Sequence, residues 1–275
     1  MKQLNLQMLI IDPQNDFCDP NGSLFVPGAD EDMKRAGKLI KALKDKLYDI
    51  HITMDSHNIV DIAHPVYWVD QQGNEALPLN PVLNQCTIIT HDDVKQGKWL
   101  PKDRSKMKWA LEYTEKLELN GKNPLCIWPP HCIIGTTGWC IYPDVMEQIN
   151  SWSMGYAIPS IWPKGSNPDT EHYSAFKADV ETDDPTTKPR VELANKVSKS
   201  DITFLLGEAS SHCLAQTMQD ISDYFGEDNT KKIILVTDCC SPVPGFESMY
   251  EEFIKYMVPR GMQQMTSDEI IAKFA

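Results

Sequence analysis

A thiol, two carboxylates, an ammonium and an imidazole stand at positions in this chain where chemistry could be done. Cys213 closes the segment Gly207-Glu-Ala-Ser-Ser-His-Cys213, just past the apolar run Ile202 to Leu206. Asp12 follows the apolar run Leu4 to Ile11, Asp55 and His57 follow Ile50 to Met54, and Lys164 follows Ile158 to Trp162. A cysteine in the first turn of a helix meets unpaired N–H groups and the positive end of the helix dipole, which favour a thiolate and can also hold an oxyanion. A carboxylate such as Asp12 can take the thiol proton, and an ammonium such as Lys164 can hold that carboxylate in register. Together these side chains describe acyl transfer by a sulfur nucleophile. Asp55-x-His57 is the kind of pair that binds a divalent metal.

Such residues need a scaffold that gathers strand ends. Met33, Ala36, Leu39, Ile40, Leu43 and Leu47 recur at helical spacing after the first apolar run, and the stretch from Ile202 through Leu214 to Tyr224 and on to Ile233 to Val236 reads strand, helix, strand. Ser267 to Phe274 has the opening of a capped terminal helix. Strands alternating with helices predict a three-layer α/β/α fold with a parallel sheet covered on both faces, where ligands bind beyond the carboxyl ends of the strands. The 275 residues read as a single domain, 1–275, with insertions near 69–123 and 179–189, where periodicity weakens and polar residues gather.

The formal net charge of −13 disfavours binding to a phosphate backbone, so nucleic acid is not an expected partner. No apolar run approaches the roughly 20 residues of a membrane span, and the first one has no basic leader, so a cytoplasmic enzyme is expected. The eight cysteines, Cys86 among them, are scattered without a Cys-x-x-Cys pair and are expected to be reduced. Neither a P-loop nor a G-x-G-x-x-G run supports a nucleotide cofactor.

Four motifs in order, Leu9-Ile-Ile-Asp-Pro-Gln-Asn-Asp-Phe17, Trp128-Pro-Pro-His-Cys-Ile-Ile-Gly-Thr-Thr-Gly138, Lys164-Gly165 leading to Tyr173-Ser-Ala-Phe176, and Gly207 to Cys213, resemble the isochorismatase-like cysteine hydrolases, and most closely the nicotinamidases. The resemblance implies a six-stranded parallel sheet and a triad of Cys213, Asp12 and Lys164, with a cis Glu208–Ala209 peptide and an oxyanion hole made by the amides of Ala209 and Cys213. It implies aromatic walls from Phe17, Trp128 and Tyr173, and a divalent metal (Zn²⁺, Fe²⁺ or Mn²⁺) held by Asp55, His57 and His131. The implied reaction is hydrolysis of a small amide through a thioester, nicotinamide to nicotinate and ammonia, by a chain that self-associates as relatives often do. The chain departs from the family at Asp61, where nicotinamidases commonly carry another histidine. His64 is either its substitute or a core histidine satisfied by a carbonyl. Gln14 and Asn15 are expected to orient the loop after Asp12. The alternatives are another small amide or carbamoyl substrate, and a non-catalytic small-molecule or metal-binding protein of the same fold. Isochorismatase activity proper is disfavoured, because the family members that perform it lack the nucleophilic cysteine.

Overall fold

A computed structural model of the chain describes residues 4–80, 87–120 and 124–275. Cys86 and parts of the 69–123 insertion therefore lie outside the described residues. Six strands form one sheet: β1 Leu6–Ile11, β2 Leu47–Asp55, β3 Ser160–Lys164, β4 Ile202–Gly207, β5 Ile233–Val236 and β6 Gln263–Met265. Every neighbouring pair is parallel and the order is β6-β5-β4-β1-β2-β3. The six-stranded parallel sheet expected from the resemblance is present.

Each residue of β1 is buried, as a strand covered on both faces requires. Alternate side chains serve two cores. Met8 and Ile10 pack with Met33, Ala36, Leu39 and Ile40 of helix α1 (Ala29–Leu43), with Ile149 of α3 (Pro143–Ser153) and with Ile270 of the last helix, α7 (Ser267–Phe274). Helix α2 (Met107–Leu119) lies in the polar middle of the chain, away from the sheet. Leu9 and Ile11 meet α4 (Val191–Ser198), α5 (Cys213–Phe225) and α6 (Glu247–Met257) through Leu193, Leu214, Met218 and Phe253. Leu47, whose spacing continued the α1 pattern, instead begins β2. Strand β3 starts and ends two residues later than its apolar run, so Lys164 is its last residue, and Pro163 is tolerated because β3 is an edge. Strand β6 has no apolar run to announce it.

The described residues between 69 and 119, within the expected insertion, build outside the sheet. They carry α2 and contribute to two short antiparallel pairs, Trp68–Val69 with Leu100–Pro101 and Ile88–Ile89 with Leu125–Cys126. The acidic stretch 179–189 is a loop with one 3₁₀ turn at Pro185–Thr187. Helix α7 carries the expected cap in full: Thr266 accepts from the Glu269 amide while the Glu269 side chain reaches back to the Thr266 amide. No helix among the described residues is long and apolar enough to cross a membrane.

Candidate active site

With strand order 3-2-1-4-5-6, the chain direction of the windings reverses between β1 and β4, which opens a crevice at their carboxyl ends. Asp12 leaves β1 there with φ 42°, its amide donating to Thr53 Oγ1 at 3.0 Å and its Oδ1 accepting from the same hydroxyl at 2.6 Å. Lys164, wholly enclosed, places Nζ 3.0 Å from Asp12 Oδ2, 3.0 Å from Asp55 Oδ1 and 3.4 Å from Cys213 Sγ. Carboxylate oxygens of Asp12 and Asp55 and the Cys213 sulfur all lie within 4.8 Å of one another. The three residues of the expected triad are thus in one contact group. Gln14 braces it, accepting from the Asp55 amide at 2.6 Å and donating to the Asp55 carbonyl at 2.8 Å, while Asn15 donates to the Thr137 carbonyl at 2.7 Å.

Burial alone would push the Lys164 ammonium down, but Asp12 and Asp55 beside it hold it well above its ordinary value. Asp55 also works against burial: His57 and Lys164 hold its carboxyl well below the usual range. Asp12 is raised by burial, with Lys164 opposing. The Cys213 thiol is pushed well above its ordinary value by burial, and Asp12 and Asp55 add to this against Lys164. This direction runs against the expectation of a resting thiolate, because the sulfur is desolvated and flanked by two carboxylates.

Cys213 opens α5, as expected, but neither Ser210 nor Ser211 caps the helix. His212 occupies the cap position without a side-chain bond, and Ser211 Oγ instead pairs with His212 Nδ1 at 2.9 Å and accepts from the Val243 amide at 3.0 Å. The Glu208–Ala209 peptide is cis. Among the described residues neither the Ala209 nor the Cys213 amide has a protein acceptor, which leaves both free for a ligand oxygen.

Beside Lys164 lies an imidazole cluster. His57, His64 and His131 have ring centroids 4.8 to 5.5 Å apart. Each commits Nδ1 to an oxygen: His57 to Asp61 Oδ2 at 3.0 Å, His64 to the Ile59 carbonyl at 3.3 Å, and His131 to the Pro129 carbonyl at 2.8 Å. That arrangement is the one that orients a ligating histidine and frees Nε2. His64 Nε2 is buried without a hydrogen-bond partner, His57 Nε2 lies 3.1 Å from Asp55 Oδ1 and His131 Nε2 3.3 Å from Asp55 Oδ2, and ligand atoms of Asp55, His57 and His131 lie within 4.8 Å of one another. The donor set fits a divalent metal. His64 meets both halves of its expectation, since a carbonyl satisfies one nitrogen while the other stays open. Burial lowers its pKa to about 4, so that nitrogen is a lone-pair donor at neutral pH.

Asp55, His131 and Cys213 border a cavity. Phe17, Trp128 and Tyr173 line it, as do Asp55, His131, Ala209 and Cys213. Trp128 donates to the Tyr173 hydroxyl at 2.8 Å, which sets both rings. Sequence reasoning missed Thr53, Glu171 and His212. Thr53 was visible as a hydroxyl in an apolar strand, two residues before Asp55. His212 sat unremarked inside the Gly207 to Cys213 motif. Glu171 had no signal, because its place in the wall depends on how residues 165–172 fold back. Cys132 is fully buried. Its amide donates to Asp16 Oδ2 at 2.6 Å. Cys239 and Cys240 are buried thiols, as are Cys18, Cys126, Cys132 and Cys213, whereas Cys140 is exposed.

No family model matches the chain. The chain is 23% identical over 240 residues to the nicotinamidase of Escherichia coli, covering 86% of this chain and 83% of that one. It is 22% identical over 212 residues to the nicotinamidase of Saccharomyces cerevisiae, covering 76% and 78%. The solved structure of the yeast enzyme superposes with a TM-score of 0.64 at 17% identity, covering 94% of this chain and 99% of that one. The pyrazinamidase of Pyrococcus horikoshii in complex with zinc superposes at 0.56 with 19% identity, covering 95% and 99%. The fold is theirs, and the resemblance read from the sequence is borne out.

Proposed function

We propose that this chain is a cytoplasmic cysteine amidohydrolase that cleaves a small amide through a thioester, with nicotinamide as substrate and nicotinate and ammonia as products. The observation that carries the reading is the Lys164 ammonium in simultaneous contact with Asp12, Asp55 and the Cys213 sulfur, at the base of an aromatic-walled cavity.

In the resting site the thiol is neutral. As an amide enters, Asp12 takes the thiol proton and the sulfur attacks the carbonyl carbon. The carbonyl oxygen turns negative and is held by the Ala209 and Cys213 amides. Asp12 then returns its proton to the departing nitrogen, which leaves as ammonia, and the thioester forms. Water, deprotonated by Asp12, attacks the thioester, and collapse releases the acid and restores the thiol. Lys164 keeps its charge throughout, so Asp12 can ionise in a buried site. Asp55, His57 and His131, with His64 at their side, would hold a divalent metal, which when bound supplies an electrophilic anchor for the ring nitrogen of a pyridine amide. Phe17, Trp128 and Tyr173 provide faces for a flat ring.

An ammonia-release assay across nicotinamide, pyrazinamide and aliphatic amides tests the reading. Turnover of nicotinamide that vanishes in Cys213→Ala is the expected result. Full activity in that variant ends the cysteine mechanism, and turnover confined to aliphatic amides transfers the reading to another amide. Failure of every amide, with ligand or metal binding retained, leaves a binding protein.

A further inference from the structure

Ala209, whose amide is assigned above to the oxyanion hole, is held in place by its neighbours on either side. Ser210 donates its amide to the Ser241 carbonyl at 2.9 Å, and Ser241 donates its own amide to Glu208 Oε2 at 3.1 Å. Ser241 therefore brackets Ala209 from both sides. The Ser241 hydroxyl donates in turn to Asp32 Oδ2 of α1 at 2.5 Å, and Arg35 donates to Asp32 Oδ1 at 2.6 Å and to the Asp238 carbonyl. Two carboxyl groups thus converge on one serine from opposite elements, behind the loop that carries the oxyanion donors and outside the cavity lining.

Glu208 is wholly buried and Asp32 nearly so. The groups facing the pair are Arg35 from α1, Cys18 from the turn at Asn15–Cys18, and Cys239, Cys240 and Asp238 from the segment after β5. Among the described residues Arg35 is the cation that reaches the pair, and it is committed to Asp32. One guanidinium balances one carboxylate, and a second buried negative charge has nothing to balance it. Glu208 Oε1 is also buried, with no N–H or hydroxyl donor among the described residues. A proton on one carboxyl satisfies both facts, because it removes the surplus charge and fills the empty bond.

We propose that Glu208 and Asp32 share one proton, and that this carboxyl pair is the positioning element that aims the Ala209 amide at the developing oxyanion. Burial, with Asp32 beside it, places Glu208 well above the ordinary carboxyl range, consistent with the proton being retained at neutral pH. Loss of the proton at high pH sets two carboxylates against each other across Ser241 and loosens the bracket on Ala209. Catalysis then falls on the alkaline side without a change in what the cavity contacts. This role rests on the hydrolase reading, but the existence of the shared proton does not.

Two measurements separate these points. Infrared difference spectra of the full chain at neutral pH, wild type minus Glu208→Gln, need no substrate. A protonated-carboxyl C=O band that disappears in the variant supports the shared proton, and no such band overturns it whatever the chain hydrolyses. In steady-state assays, Glu208→Gln, whose amide can donate to Asp32 and accept from Ser241, retains kcat within about threefold and loses the alkaline limb assigned to the pair. Glu208→Met loses about 10²-fold in kcat with KM unchanged, the size expected when an oxyanion donor is misplaced. A glutamine variant as impaired as the methionine one, or a methionine variant with wild-type kcat, overturns the positioning role.

Discussion

Replacing Lys164 with methionine keeps most of the side-chain length and removes the ammonium that touches Asp12, Asp55 and Cys213. In the wild-type cluster, Asp12 and Asp55 face two cations, Lys164 and His57, whose imidazole Asp55 and Asp61 hold well above its usual pKa despite burial. Methionine removes one of the two buried positive charges facing these carboxylates, and the site relieves the loss by protonating a carboxyl. Keeping protonated at pH 7 a group that titrates near 4 in the unfolded chain spans about three pH units, or about 4 kcal/mol. Breaking a buried ion pair by removing one partner costs about 3–5 kcal/mol by independent reasoning, so the two figures agree. For a chain of this size the unfolding midpoint should fall by roughly 10 °C. The sign with pH is definite. Proton uptake by the folded variant is the penalty, so it shrinks by about 1.4 kcal/mol per unit as pH drops from 7 toward 4. Urea unfolding of Lys164→Met and wild type at pH 5, 6 and 7, after chelator treatment and again with Zn²⁺, measures this directly. A loss of stability that does not vary with pH would refute the charge argument, and a variant as stable as wild type at pH 7 would refute the ion pairs themselves.

Three further outcomes follow from the same geometry. Thr53→Val keeps the shape of the side chain but strips both hydrogen bonds from Asp12, and should cost about 1–3 kcal/mol of stability with kcat down about 10²-fold and KM little changed, read by thermal unfolding and ammonia release. Asp61→Asn weakens the group that orients His57, and should lower metal affinity by about 10–100-fold in a competition titration against a chelator, while an unchanged affinity would remove His57 from the ligand set. Iodoacetamide at pH 7 should label exposed Cys140 before Cys213, whose buried thiol is neutral at rest, and peptide mass spectrometry that finds Cys213 labelled first would contradict the direction of its shift.

What could be read from the chain alone divides along a physical line. Asp12, Asp55, Lys164 and Cys213 were legible because each ends or follows an apolar run, and parallel strands bring such positions to one rim. Strand β6 was not, because Gln263–Met265 at the sheet edge is largely exposed and carries no hydrophobic periodicity. The protonation state of Cys213 was misjudged for a related reason. Spacing located the sulfur at a helix terminus, but the depth of its burial and the two nearby carboxylates are products of tertiary packing. Ser210 and Ser211 are of a residue type that often caps helices, yet the loop sends Ser211 to His212 and to the Val243 amide instead. Glu171 reached the cavity through a loop whose path has no local signature.

The two glycines flanking this chemistry are there for want of space, and each sets a distance the reaction depends on. Gly207 ends β4 with φ 111°, and a Cβ on it would collide with the backbone of Ile11 on β1. A side chain at 207 would force apart the two strands whose ends carry Asp12 and the Cys213 loop. Gly165, with φ 81°, follows Lys164, and a Cβ there would lie 2.9 Å from Asp55 Oδ1 and 3.1 Å from His57 Cε1. Any larger residue would press on the carboxylate that serves both the ammonium and the imidazole cluster. Lys164-Gly165 and Gly207 to Cys213 are therefore single requirements written over several positions. One residue supplies the reactive atom and a neighbour without a side chain lets a second strand bring its own atom within 3.0 to 3.4 Å of Lys164 Nζ. Because what they preserve is the separation between strand ends, the site constrains these few positions and leaves the surface and the insertions free to vary.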